Sequence, residues 1–192
     1  MDLKGKKVIL ASASPRRKEL LEGLDVDFEV DAETSFIEHY DSSVPDLKIP
    51  ETMSEGKSNG FHRPLKDNEI LLTSDTMVYC GDRIMGKPHS RAEAEEMLHF
   101  LSGREHMVIT AVTLRSNSRT ETFSDRATVH FKHLSDSEID YFIDRYEPYD
   151  KAGAYAIQQW IGYIGITGIE GSVFTIIGLP VHLVYRELQK FL

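Results

Sequence analysis

The sequence has little cysteine and no long apolar run, and both absences narrow the class of protein. A single cysteine, Cys80, excludes a disulfide framework within the chain and a cysteine-rich zinc site. No stretch approaches the ~20 apolar residues that a transmembrane helix needs, and the N-terminus lacks the apolar region of a secretory signal. We therefore expect a cytoplasmic protein without a membrane partner.

Positive charge is also scarce, because 22 Lys and Arg residues stand against 31 Asp and Glu residues and give a formal net charge of −9. A general binder of nucleic acid or of anionic membranes needs a cationic surface. We therefore expect no nucleic-acid partner. A small anionic ligand, held in a local basic pocket, is still compatible with this charge.

Several catalytic motifs are missing, and each absence excludes a class of enzyme. The sequence has no Walker A lysine loop, no HExxH pair and no GxSxG nucleophile elbow. His130 and His133 are close in sequence, but along a strand their spacing would point them to opposite faces, so we expect no zinc site.

The composition that remains is that of an ordinary globular protein, with 41% hydrophobic and 28% charged residues. The chain is long enough to bury a substantial core, and we expect one domain over residues 1–192. Predicted strands such as Lys7–Ala11 and Ile70–Tyr79 alternate with predicted helices, which indicates an α/β fold with a mixed sheet. We expect an irregular acidic loop over Asp31–Pro50, and short strands and tight turns between Asp150 and Gly178.

The segment from Ser12 to Arg17 follows an apolar run and predicts a strand that turns directly into a helix. Ser14 is a good N-cap, and Pro15 suits the first helical position because its missing N–H is no loss there. Free backbone N–H groups, serine hydroxyls and two guanidinium groups would then converge, as phosphate binding requires. The alternative is a capped surface helix with two solvated arginines.

Asp75 follows the apolar half of the predicted central strand, where burial shifts pKa values and excludes water. Such a carboxylate suits a hard divalent cation or acts as a general base on water, and a strand-end Asp that bonds a neighbouring turn is the alternative. Lys87, between Gly86 and Pro88, suits a phosphate contact or is a solvated turn lysine. Lys57 by itself predicts only a helix-surface residue.

The segment Asp150–Gln158 mixes charged, small and aromatic residues without a helical or strand period. Small residues allow close approach of a backbone, Tyr155 could stack on a ring, and Gln158 could pair with an amide edge. A tight structural turn is the alternative.

The motifs that carry a family resemblance follow one another in order along nearly the whole chain. They are Ser12–Arg17, Ser74–Val78, Met85–Pro88, Leu101–Gly103 with His106 and Thr110, Asp150–Gln158 and Gly178–Pro180. Each motif alone is weak, but together they resemble the Maf family, also called septum formation inhibitor or Maf-like nucleotide pyrophosphatases. The version with Gly-Ala-Tyr followed by Ile-Gln is similar to the subgroup that acts on dTTP and UTP.

The resemblance implies an enzyme that hydrolyses a nucleoside triphosphate, namely dTTP, UTP or a modified pyrimidine nucleotide, to the monophosphate and pyrophosphate. It also implies Mg²⁺ or Mn²⁺ as cofactor, a homodimer, and a two-lobed fold with a central cleft similar to that of ITP pyrophosphatases. Two alternatives are a non-catalytic nucleotide-binding regulator of septum formation and a purine (ITP or XTP) pyrophosphatase.

The roles of individual residues also come from the resemblance. Asp75 matches the proton acceptor and a metal ligand, and Glu38 matches a second metal-binding carboxylate, with Glu33 as its rival. The positions that match phosphate-binding residues are Ser12, Arg16, Arg17, Lys57 and Lys87. The positions that match specificity residues are Arg16, Thr76 and Gln158.

Overall fold

The computed structural model describes residues 2–192 and contains a seven-stranded mixed β-sheet within that range. Its strands are β1 (Lys7–Leu10), β2 (Phe28–Val30), β3 (Glu69–Cys80), β4 (Arg83–Met85), β5 (Glu105–Arg115), β6 (Thr120–Phe131) and β7 (Ile166–Glu170). The strand order is β2-β1-β3-β5-β6-β7, with β4 paired to β3. Strand β1 is parallel to β2 and β3, whereas the pairs β3–β4 and β6–β7 are antiparallel. The predicted α/β fold with a mixed sheet is therefore confirmed.

The helices alternate with these strands along most of the chain. They are α1 (Pro15–Glu22), α2 (Ile49–Asn59), α3 (Arg91–Leu101), α4 (Asp136–Tyr146), α5 (Trp160–Gly165), α6 (Val173–Ile177) and α7 (Val181–Leu188). Serine side chains accept a backbone N–H at the first turns of α1, α3 and α4 and so satisfy a donor that has no partner within the helix. Within residues 2–192, every helix is too short or too polar to cross a membrane.

The segment from Asp150 to Gly178 differs from the predicted strands and turns. It contains α5, α6 and the single strand β7, together with 3-10 turns at Pro148–Asp150 and Ala152–Ala154. Ile161 of α5 and Ile176 of α6 lie buried in one apolar cluster, so packing overrides the strand preference of β-branched residues. The prediction of short strands and tight turns is therefore wrong for α5 and α6, whereas β7 and the 3-10 turn at Ala152–Ala154 agree with it.

The chain divides into two compact units. The first unit comprises the residues up to Asp75 together with Thr110–Asp125 and Gly178–Leu192, and the second comprises Thr76–Ile109 and Arg126–Ile177. Three strands, β3, β5 and β6, each contribute residues to both units. This division into compact units does not test the expectation of one domain over residues 1–192, which stays a prediction.

Each unit has its own apolar core. In the first unit, Ile70 and Leu72 of β3 pack with Val8 and Leu10 of β1, while Leu71 points into a separate apolar cluster, as the alternation of side chains along a strand requires. Burying each such side chain contributes about 1.5–3 kcal/mol to folding. The core of the second unit includes Leu98, Leu101, Val129, Phe131, Ile139 and Phe142.

Candidate active site

Two neighbouring parallel strands of the first unit carry the first set of candidate residues. Leu10 of β1 pairs with Leu72 of β3, and beyond this pair β1 gives way to a turn while β3 continues through Asp75. The Arg17 Nε and the Ser74 hydroxyl both donate to the Gly178 carbonyl oxygen, at 2.9 and 3.3 Å. The register of the two strands therefore places the arginine turn next to the polar part of β3.

The turn between β1 and α1 has the predicted form. The Ser14 hydroxyl accepts the Arg17 backbone N–H at 3.5 Å, and Pro15 occupies the first helical position. The Ser12 hydroxyl accepts from the Ser14 N–H and from the Arg17 guanidinium, each at 3.3 Å. Arg17 is half-buried and bonded on two sides, so it is not a solvated surface arginine.

Burial is the main influence on the Arg17 guanidinium and lowers its pKa, while the nearby carboxylates of Asp75 and Glu38 oppose that shift. The positive charge of Arg16 also lowers the Arg17 pKa, which shows that the two guanidinium groups repel each other. A bound anion would relieve this repulsion, and arginine is well suited to bidentate contacts with phosphate.

Asp75 is a buried acid of the first unit, with 6% of its surface exposed. Its Oδ1 accepts from the Lys57 ammonium at 2.5 Å, whereas its Oδ2 is buried without a hydrogen-bond partner. A buried carboxylate oxygen that lacks a partner carries a desolvation cost, so such an atom calls for a functional explanation. Asp75 is therefore not the strand-end Asp that bonds a neighbouring turn.

Lys57 lies between two carboxylates rather than on a solvated helix surface. Its ammonium is 2.5 Å from Asp75 and 2.9 Å from the Glu38 carboxylate, and only 16% of its side chain is exposed. The rival carboxylate, Glu33, is 76% exposed and lies 3.7 Å from a nitrogen of His62. The structure thus brings Glu38, and not Glu33, to the Lys57–Asp75 ion pair.

The donor atoms of this cluster fit a divalent cation that keeps much of its water. Mg²⁺ takes carboxylate oxygens and is usually bound by one or two carboxylates together with substrate phosphates. The free Oδ2 of Asp75 and the half-exposed carboxylate of Glu38 provide such oxygens. Residues 2–192 contain no group of three or more His, Cys, Asp or Glu side chains arranged to hold a metal. Two carboxylates fill only part of the coordination shell of Mg²⁺, and water and phosphate oxygens would take the other positions.

The second unit carries the remaining candidate residues, Thr76, Lys87 and Gln158. Lys87 is exposed on the loop after β4, and the preceding Gly86 carbonyl oxygen accepts from the Gly153 N–H at 3.0 Å. Gly153 has a φ of +68°, and a Cβ at this position would lie 3.1 Å from the Val78 side chain. The Gly153–Gly86 hydrogen bond therefore joins the Lys87 loop to the segment that leads to Gln158.

Gln158 is exposed, and a neighbouring hydroxyl fixes its backbone. The Tyr163 hydroxyl donates to the Gln158 carbonyl oxygen at 2.8 Å, although 74% of Tyr163 is exposed. Gly162 packs against the main chain of Ile157, where a side chain would not fit. The sequence analysis did not assign a role to Gly162 or Tyr163. The only signal for them in the sequence is that a glycine and then a tyrosine stand four and five residues after Gln158.

Tyr155 does not have the stacking role that the sequence suggested. It is 5% exposed, packs edge-to-face against Phe131, and its hydroxyl lies 2.7 Å from Nε2 of His106. Burial lowers the pKa of His106 to about 4 and raises that of Tyr155, and the charge of His130 adds to the shift of His106. Both rings are neutral near pH 7 and belong to the core of the second unit.

The fold and the charged cluster define the class of this protein: a mixed α/β protein with a buried carboxylate–lysine pair beside an arginine turn at the end of a parallel strand. A family model described as "Maf-like protein" matches residues 7–191. The chain belongs to the Maf family, which confirms the resemblance of its motifs.

Similar proteins cover almost the whole chain. The "dTTP/UTP pyrophosphatase" of Parabacteroides distasonis is 46% identical over 190 residues, which are 99% of this chain and 98% of that protein. The protein of the same name from Porphyromonas gingivalis is 47% identical over 192 residues, which are 99% of this chain and 96% of that protein. Among solved structures, the Staphylococcus aureus Ham1 protein has a TM-score of 0.42 and 14% identity, and the match covers 66% of this chain and 72% of that chain.

Proposed function

We propose that this protein is a nucleotide pyrophosphatase that hydrolyses dTTP and UTP to the nucleoside monophosphate and pyrophosphate. The observation that carries the proposal is the buried Asp75 carboxylate, which has one oxygen on Lys57 and the other without a partner, beside two arginines. Membership of the Maf family and relatives named dTTP/UTP pyrophosphatase over the full chain support the same reaction and the same pair of nucleotides.

Asp75 has the position of the proton acceptor. Its free Oδ2 takes a proton from a water molecule whose oxygen attacks the α-phosphorus. The bond from that phosphorus to the bridging oxygen breaks, and pyrophosphate leaves. A positioned general base contributes about 10²–10⁴-fold to such a rate. Lys57 balances the charge of the carboxylate and keeps Oδ1 engaged, so the other oxygen is the one that meets the water.

The cofactor and the phosphate contacts complete the proposal. Asp75 and Glu38 would hold Mg²⁺ or Mn²⁺, which when bound neutralises phosphate charge and lowers the pKa of a bound water. The phosphate-binding residues would be Ser12, Arg16, Arg17, Lys57 and Lys87, of which all but the serine are cationic. Developing charge on phosphate oxygens is stabilised most by such preorganised cations.

Base selection would come from Thr76 and Gln158 together with Arg16. A side-chain amide pairs with the polar edge of a pyrimidine, and a wrong base leaves buried polar groups unpaired. The homodimer and the cytoplasmic location stay predictions, the first from the family resemblance and the second from cysteine usage.

A panel of triphosphates tests the proposal. Purified protein is incubated with dTTP, UTP, modified pyrimidine nucleotides, ITP, XTP and the remaining canonical triphosphates in Mg²⁺ or Mn²⁺, and pyrophosphate is measured. We expect release mainly from the pyrimidine nucleotides. Release mainly from ITP or XTP would contradict the choice of base, and no release from any nucleotide would favour the regulator of septum formation.

A further inference from the structure

We infer that Phe36 is a positioning residue, and that its ring, seated on two glycines of the α2 helix and its cap, holds Glu38 at the Lys57–Asp75 ion pair. The inference rests on the proposed function, in which Glu38 is the second metal-binding carboxylate. It concerns the acidic loop before α2, to which neither the sequence motifs nor the proposed reaction assigns an anchor.

The seat consists of Gly56 within α2 and Gly60 at its C-cap, which lie one helical turn apart. A Cβ on Gly56 would come within 3.0 Å of three atoms of the Phe36 ring. A Cβ on Gly60 would lie 2.7 Å from the Phe36 Cβ and 2.8 Å from its nitrogen. Contacts this short do not occur between real side chains, so only glycine at both positions lets the ring lie against the helix.

Hydrogen bonds to one backbone carbonyl fix the same loop at the residues just before Phe36. The Gly60 carbonyl oxygen accepts from the Ser35 N–H at 2.8 Å, the Thr34 hydroxyl at 3.0 Å and the Ser35 hydroxyl at 3.1 Å. Thr34 also forms an isolated antiparallel bridge with Phe61. The loop is therefore attached to the end of α2 by one main-chain bond, by two hydroxyl bonds and by the Phe36 ring.

Glu38 follows this anchor after a single residue. The residue between them, Ile37, is 83% exposed and so adds little to holding the loop. The residues His39–Ser43 beyond Glu38 are all exposed as well. The position of the Glu38 carboxylate 2.9 Å from Lys57 Nζ therefore depends on the anchor that precedes it.

Glycine in a helix reduces its stability, and the packing of Phe36 gives a reason for glycine here. Glycine lowers helix stability relative to alanine, and Gly56 stands in a helix next to Lys57. A close approach between a backbone and another segment is one of the few reasons to keep it there. Helix α2 thus carries both Lys57 and the glycines against which Phe36 packs, and Phe36 belongs to the loop that brings Glu38 to Lys57.

A double-mutant cycle between Phe36→Ala and Glu38→Gln tests whether the ring acts through the carboxylate. We measure Mn²⁺ affinity by electron paramagnetic resonance without nucleotide, and kcat for dTTP. Mutation of a residue that orients a metal ligand typically lowers metal affinity or activity by about 10–100-fold. We expect Phe36→Ala to cause a loss of about this size in both quantities, and to cause no further loss in the Glu38→Gln background.

Three more variants separate positioning from general stability. Gly56→Ala should displace the ring and weaken Mn²⁺ binding as Phe36→Ala does, and Phe36→Leu should restore part of the affinity because it refills the seat. Gly23→Ala is the matched control, since a Cβ there meets its nearest atom at 3.4 Å and Gly23 has an ordinary helical φ of −64°. We expect Gly23→Ala to bind Mn²⁺ as the wild type does.

The outcomes are distinguishable from failure of the proposed function. A Phe36→Ala protein with a lower melting temperature but unchanged Mn²⁺ affinity and kcat would overturn the positioning role. Losses that add fully to those of Glu38→Gln would also overturn it. If the wild-type protein binds Mn²⁺ but hydrolyses no triphosphate, the proposed reaction fails, and the Mn²⁺ cycle still decides the role of Phe36.

Discussion

The two units hold their candidate residues in different ways. In the first unit, bonds made by the charged side chains themselves hold them in place. Lys57 joins Asp75 and Glu38, and Arg17 donates to the Gly178 carbonyl oxygen and the Ser12 hydroxyl. In the second unit, Lys87 and Gln158 are exposed side chains on turns whose backbone is fixed by Gly153 and Tyr163. Side-chain position matters most where charge develops in a reaction, whereas a fixed backbone suffices to present a recognition group. We therefore propose that the first unit carries the proton acceptor and the metal-binding carboxylates, while the second contributes Gln158 to recognition of the base and Lys87 to phosphate binding. Arg16 of the first unit would take part in both phosphate binding and base selection.

The largest expected effect comes from removing the charge of the Asp75 carboxylate. Asp75→Asn keeps the shape of the side chain but cannot accept a proton, so we expect kcat for dTTP to fall by about 10²–10⁴-fold. Pyrophosphate release and the circular dichroism spectrum are measured together. A folded variant that releases pyrophosphate at the wild-type rate would contradict the role of Asp75.

The second prediction concerns the neutral core of the second unit. The His106 pKa is about 4 in the folded protein, below its ordinary value of 6.5, so the unfolded chain binds the proton first as the pH falls. Stability due to this group is complete above pH 6.5 and is lost between about pH 6.5 and pH 4, with a total of ~3 kcal/mol.

The comparison protein for this prediction is His106→Phe, which removes the titrating group from beside Tyr155. The free energy of unfolding is measured by urea denaturation from pH 7 to pH 4 for both proteins. We expect the variant to lose less stability over this range than the wild type. Parallel pH curves would show that His106 is not the group responsible.

A third prediction compares two glycines of the second unit that both have positive φ. Gly153→Ala should lower the free energy of unfolding by more than the ~1–2 kcal/mol of left-handed strain, since its Cβ also meets Val78. Gly81→Ala, with a φ of +58° and open space around its Cβ, should show the strain alone. Equal losses for the two variants, measured by thermal unfolding, would show that the contact with Val78 has no role.

The smallest effect is expected at the exposed tyrosine. Tyr163→Phe removes the hydroxyl that donates to the Gln158 carbonyl oxygen, a bond of the kind that contributes about 0.5–1.5 kcal/mol. We expect a few-fold loss in the preference for dTTP over dGTP, measured as a ratio of kcat/KM values, and an unchanged kcat for dTTP. Tyr185→Phe changes a half-exposed tyrosine of the first unit, so it is the control and should keep the preference.

Local features of the sequence predicted well where the controlling contacts are local. The Ser14 cap and the burial of Asp75 depend on neighbouring residues, and both are present. The pairing of Lys57 with Asp75 could not be seen, because 18 residues separate them and only the fold brings them together. The sequence taken by itself could assign Lys57 only to a helix surface.

The wrong prediction for α5 and α6 also results from contacts that are not local in the sequence. The helices α5 and α6 form where β-branched residues favour strands, because Ile161 and Ile176 fill a core made by distant elements. The Phe36 ring lies against Gly56 and Gly60, which are distant from it in the sequence, and the Tyr163 hydroxyl reaches back to the Gln158 carbonyl oxygen. A glycine in a sequence shows that space is needed, but only the structure shows which residue occupies it.

The division between chemistry and recognition has one direct test. The ratio of kcat/KM for dTTP to that for dGTP is measured in the wild type, in Glu38→Gln and in Gln158→Ala. We expect Glu38→Gln to reduce both values together and leave the ratio unchanged, and Gln158→Ala to reduce the ratio while keeping most of the maximal rate. A Gln158→Ala protein that loses activity equally on both nucleotides, or a Glu38→Gln protein with an altered ratio, would contradict the division.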